Sequence, residues 1–119
     1  MNWYKSAIDL GWQDKGLYHF LNIMKLEIDS FPSLSYDNSR GSVGSNNINF
    51  KILKDDGTTY NLAIRMNANN IEVSIIAAPM RNIDFKSYDA YQVEPQQIIR
   101  DSLVSIDNDY NGEFENGMV

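Results

Sequence analysis

Between residues 48 and 76 the chain alternates apolar and polar side chains in three consecutive runs. Ile48, Phe50 and Ile52 alternate with Asn49 and Lys51. Tyr60, Leu62, Ile64 and Met66 alternate with Asn61, Ala63 and Arg65, and Ile71, Val73 and Ile75 with Glu72 and Ser74. Successive side chains of a strand point to opposite faces, so each run is a strand with one apolar and one polar face.

The runs also fix one another's register, because a slip of one residue in an antiparallel pair reverses every side chain. Placing Ile52 opposite Tyr60 sets Phe50 against Leu62 and Ile48 against Ile64, and leaves Asp55-Asp56-Gly57 as the loop, with glycine at the left-handed bulge position. Placing Met66 opposite Ile71 sets Ile64 against Val73 and Leu62 against Ile75, and leaves Asn67-Ala68-Asn69-Asn70 as a turn whose asparagines tolerate left-handed backbone. Both hairpins then share one apolar face. The other face carries Asn49, Lys51, Asn61, Arg65, Glu72 and Ser74 with Leu53, Ala63 and Ile76 among them, and is expected to be solvated.

Helical spacing flanks the strands. Trp3, Ala7 and Leu10 form a short stripe; Leu17, Leu21, Met24 and Ile28, with Phe20 beside them, form a longer one that ends before Pro32. Gly11 and Gly16 interrupt the two, with Trp12 and Tyr18 as packing anchors at the break. Residues 30–47 hold six serines and few apolar side chains, which predicts a mobile loop. Within it Gly41-Ser42-Val43-Gly44-Ser45 lacks the GKS or GKT ending of a phosphate-binding loop. Phe85, Tyr88 and Tyr91 recur every three residues and would line one side of a helix. A firmer helix opens at Glu94-Pro95, with proline at its first position and Ile99, Leu103 and Ile106 inward. The predicted fold is a single α+β domain over residues 1–119: N-terminal helices, a three-stranded antiparallel meander, and a C-terminal helix packed on one sheet face.

With 119 residues there is room for one core. No cysteine is present, which removes disulfides, thiol nucleophiles and thiolate metal sites, and one histidine, His19, rules out sites needing two imidazoles. The chain has 16 acids against 10 Lys and Arg. Five of the acids, Asp101, Asp107, Asp109, Glu113 and Glu115, follow Arg100 with no base among them, so residues 1–100 are nearly neutral and the acidic C-terminal tail, residues 107–119, holds most of the excess. A concentrated cluster does not imitate the extended phosphate ladder of DNA, and no two bases are adjacent to form a basic stripe, so direct nucleic-acid binding is not expected. No stretch reads as a secretory signal or a membrane span, which leads to an expectation of a soluble cytoplasmic protein.

The sharpest local pattern is Asp107-Asn108-Asp109-Tyr110-Asn111-Gly112-Glu113-Phe114-Glu115, which resembles the first nine positions of an EF-hand calcium loop. A hard cation takes oxygen ligands at alternate positions around a tight glycine turn. The resemblance implies Asp107, Asp109, Asn111, Glu113 and Glu115 as calcium ligands. It departs from the family at the twelfth position, where Met118 replaces the bidentate glutamate.

Hydrolytic machinery is absent from the pattern: His19 sits beside Phe20 on a helix, no GxSxG turn exists, and the carboxylate pairs lie in predicted turns where water holds them ionised. The sequence therefore predicts a non-catalytic protein-binding module, an inhibitor, immunity or adaptor protein of bacterial or phage type. Tyr88 and Tyr91 would contact the protein partner, with Asp107, Asp109, Glu113 and Glu115 steering it. The alternatives are a small-ligand protein gripping a nucleotide with Arg40 and Tyr36, and the weak calcium binder above. An uncovered edge strand would also permit a homodimer.

Overall fold

The computed structural model describes residues 17–43, 47–67 and 69–109. The helix expected around Trp3, Ala7 and Leu10, the Trp12 and Tyr18 side chains, and the tail beyond Asp109 lie outside what it describes. The described order is α1 (Leu17–Glu27), a 3-10 turn (Ile28–Ser30), β1 (Leu34–Val43), β2 (Asn47–Lys54), β3 (Thr59–Asn67), β4 (Asn70–Ala77), β5 (Arg81–Asp89) and α2 (Pro95–Asp107). The strands make one antiparallel meander in chain order, β1-β2-β3-β4-β5.

The architecture is α+β with helices on one sheet face, but the meander has five strands where the alternation predicts three. Both central registers are as expected: Ile52 faces Tyr60, Phe50 faces Leu62 and Ile48 faces Ile64, then Met66 faces Ile71, Ile64 faces Val73 and Leu62 faces Ile75. Gly57 closes the first hairpin at φ +93°, donating its N–H to the Lys54 carbonyl at 2.9 Å. The second hairpin pairs one residue further into its turn, joining Asn67 to Asn70.

The two additional strands replace a loop and a helix. β1 occupies residues expected to form the serine-rich loop: Leu34 is buried and Tyr36 packs edge-on against Phe50, ring centroids 5.4 Å apart at 72°. Leu34 and Tyr36 already alternate with Ser35 and Asp37, but the run is short and the pairing with β2 shifts between Asp37 and Ser42. β5 takes the residues of the expected aromatic helix. Opposite residues of a ladder share a face, and Phe85 pairs with Ser74 whereas Tyr88 pairs with Ile71, so the two rings lie on opposite faces of the sheet. An odd spacing of three makes a stripe only in a helix. The backbone groups of β4 instead find their partners in this segment, as buried peptide groups must.

The core lies between the sheet and the helices. Ile48, Phe50, Ile52, Tyr60, Leu62 and Ile64 from β2 and β3 are at most 2% exposed, as are Ile71, Val73 and Ile75 of β4. Phe20 and Met24 of α1 and Ile98, Ile99, Leu103 and Ile106 of α2 close over them, fully buried. Each such side chain contributes roughly 1.5–3 kcal/mol. α2 starts as its sequence directs, with Glu94 extended (φ −98°, ψ 143°) and Pro95 in the first turn. A clasp ties the helices: Glu27 accepts from Arg100 at 2.8 and 3.0 Å and from Gln96 at 2.7 Å.

Candidate functional site

Two surfaces decide how the chemically capable residues are used. The first is a polar seam along which α2 meets β5. Asp101, Ser105 and Asp109 follow one another at steps of four, which brings them to one side of the helix and its continuation. Across the seam the Tyr88 hydroxyl donates to Asp101 Oδ2 at 3.1 Å, and Ser105 Oγ donates to Asp84 Oδ2 at 3.0 Å. Arg81 donates from both terminal nitrogens to Asp109, at 2.9 and 2.7 Å.

Asp109 is the most heavily used carboxylate. Besides Arg81 it accepts the hydroxyl of the fully buried Tyr60 at 2.7 Å. The Lys54 ammonium donates to the carbonyls of Ile106 at 3.0 Å and Asp107 at 2.9 Å, and also to that of Asp109. The first two of these carbonyls belong to the last turn of α2, where a cation is favoured. Ser33 Oγ donates to Asp107 Oδ1 at 2.7 Å. The end of α2 is thereby bolted to β3, to the β2 end and to the entry of β1.

Ionisation follows these contacts. The hydrogen bonds from Arg81 hold the Asp109 carboxyl below its usual range, outweighing its burial. Burial first, and then the neighbouring Asp109, push the Tyr60 phenol up; burial and Asp101 do the same to Tyr88. Arg100 and Gln96 lower Glu27, the Thr58 hydrogen bonds lower Asp56, and Asn67 with Arg65 lowers Glu72. Each of these carboxylates and phenols moves away from neutrality, the opposite of the tuning that general acid–base work needs.

The second surface is the sheet face turned away from the helices. Reading across the strands, Asn49, Ala63, Ser74 and Phe85 form one row, and Asn47, Arg65, Glu72 and Ser87 another. Most are half-buried; Arg65 and Glu72 pair at 2.6 Å, Leu53 is 37% exposed and Phe85 is 66% exposed.

The expected site residues separate accordingly. Tyr88 is half-buried against α2, whereas Tyr91 is exposed in the turn that follows β5. Asp107 and Asp109 are brought together but turned to Ser33, Arg81 and Tyr60. Asn111, Glu113 and Glu115 lie outside the described residues, and no cluster of three or more His, Asp or Glu suited to a metal occurs among the described ones. As a calcium loop the segment therefore has its first and third ligands already bonded. Tyr36 borders an open cleft with Lys25, Asp29 and Phe31, and its phenol is raised by burial and Asp37; the Arg40 side chain lies outside the described residues. His19 is exposed on α1. Sequence reasoning missed Arg81, Lys54 and Tyr60 as anchors. The four-residue step of Asp101, Ser105 and Asp109 was the available signal, since it marks a polar helix side needing partners.

No described helix is long and apolar enough to cross a membrane. No protein family, curated protein or solved structure matches this chain.

Proposed function

We propose that the protein is a non-catalytic binding module of the inhibitor, immunity or adaptor kind, engaging a protein partner with the sheet face that no described helix covers. The observation that carries this reading is the face itself: five strands wide, covered by no described helix, and lined by amides and hydroxyls around Ala63, Ile76 and Phe85, with Lys51 and the paired Arg65 and Glu72 among them. Side chains of that kind supply donors and acceptors without a large desolvation cost, and an exposed aromatic supplies an anchor. Support also comes from the seam, where the most perturbed titratable groups hold α2 to the sheet. The net charge of −6 favours a basic partner and speeds its encounter.

The test is affinity capture from the native host with mass spectrometry, followed by calorimetry on the captured partner. Arginine at Ala63, in the middle of β3, should weaken binding by about tenfold or more, since it inserts a charge and bulk into the centre of the contact. E113K/E115K should slow association and flatten its salt dependence. A partner bound equally well by both variants overturns the reading.

A further inference from the structure

We propose that β5 is a self-pairing edge, and that two copies of the chain join antiparallel about a two-fold axis at Phe85 to make a ten-stranded sheet. The proposal stands on the edge strand and does not rest on the partner reading above.

Among the described residues no strand pairs with the outer edge of β1 or of β5. The pairing of β1 shifts between Asp37 and Ser42, which breaks the straight row of groups a second strand requires. The pairing of β5 with β4 also shifts once, at Ile83, but that irregularity lies at one end and the strand runs regularly from Asp84 to Asp89. Phe85 is on this stretch, and its N–H donates to Asp84 Oδ1 at 2.9 Å instead of to β4. That amide therefore faces the open edge, held only by a neighbouring side chain, and can take a carbonyl of another strand.

The sequence of the edge decides which strand fits. In an antiparallel pair centred on Phe85, Asp84 of each copy lies opposite Lys86 of the other, within the regular part of the strand. Both members of each Asp84–Lys86 pair are on the helix side, while the two Phe85 rings meet on the open side. Opposite charges and facing aromatics are the pairs that stabilise such a ladder. Centring on Asp84 would set two carboxylates against each other, and centring on Lys86 two ammonium groups. Only the Phe85 axis satisfies the charges, and it does so twice by symmetry. Asp84 and Lys86 already approach at 3.6 Å within the strand, so pairing exchanges the one long contact of each copy for two across the axis. Phe85, 66% exposed in the single chain, becomes the apolar centre of the contact.

The experiment is sedimentation equilibrium on the full chain from about 1 μM to 1 mM, the range expected for a small interface of this kind. The wild type should show a concentration-dependent monomer–dimer equilibrium. F85K, which sets like charges on the axis at an exposed position, and K86D, which sets two aspartates opposite each other, should each weaken it by about tenfold or more. The exchange D84K/K86D should restore it to near the wild-type value, because the complementarity is symmetric. A wild type that stays monomeric throughout overturns the proposal, as does a dimer untouched by F85K or a folded D84K/K86D protein that stays monomeric. Should that exchange unfold the chain, F85K alone decides, with its melting midpoint at low concentration confirming the fold.

Discussion

Asp109 has both carboxylate oxygens and its carbonyl engaged, by Arg81, Tyr60 and Lys54. Removing its side chain leaves the Tyr60 hydroxyl buried without an acceptor, and D109A is expected to lose about 1–3 kcal/mol by denaturant unfolding at neutral pH. The pH dependence follows from the lowered pKa. A carboxyl held below its unfolded value, about 3.9 for Asp and 4.3 for Glu, contributes stability that is complete above that value and is lost as pH falls through the folded one. Asp109 and Glu27 both act in this sense, so the wild type should lose stability progressively below about pH 4, and D109A should show a shallower loss than the wild type. Equal slopes would mean that the Arg81 contact is not what resists acid. At this scale the sequence shows that Asp107 and Asp109 are special, through their spacing before a glycine. It does not show whose donors they meet, because Arg81 lies 28 positions away and Tyr60 49, and only the closed sheet brings them near.

Among the elements, β2, β3 and β4 were legible in register because each has one wholly apolar face, and two hairpins had to agree on it. β1 and β5 were not. The positions of β5 on the helix side include Asp84 and Lys86, paired to polar partners, so a strand there leaves no apolar alternation to read. Edge strands are commonly polar for the same reason: half of their hydrogen-bonding groups face water. The β2–β3 loop shows how closely local chemistry set the middle of the sheet. Gly57 stands at φ +93° with nothing within 4 Å of where a Cβ would project, so an added side chain meets only backbone strain. G57A is expected to cost about 1–2 kcal/mol, and G57N less, because asparagine accepts left-handed backbone more readily. Thermal unfolding of the pair checks the order, and an alanine variant as stable as the wild type would show that the hairpin closes by another turn.

For the whole molecule, the charge arithmetic changes meaning once the fold is known. Five acids follow Arg100 in the sequence, but Asp101, Asp107 and Asp109 are bonded to Tyr88, Ser33 and Arg81, which leaves Glu113 and Glu115 as the remaining carboxylates of that stretch. What reads along the chain as a detached acidic segment is in its first part the mortar between α2 and the sheet. Calcium loading of residues 107–115 would have to break the contacts of Asp107 and Asp109 and displace the Lys54 ammonium from the carbonyls at the helix end. A site with a dissociation constant near 10 μM would add about 2.7 kcal/mol at 1 mM calcium, enough to raise the melting midpoint by several degrees. The expectation is that 1 mM calcium and 1 mM magnesium give midpoints equal within about a degree, since a bound arginine and a helix-end lysine already neutralise these oxygens. A rise of several degrees specific to calcium would show that the tail gives up those partners for the cation, and that the bolt at the end of α2 is a switch instead of a fixture.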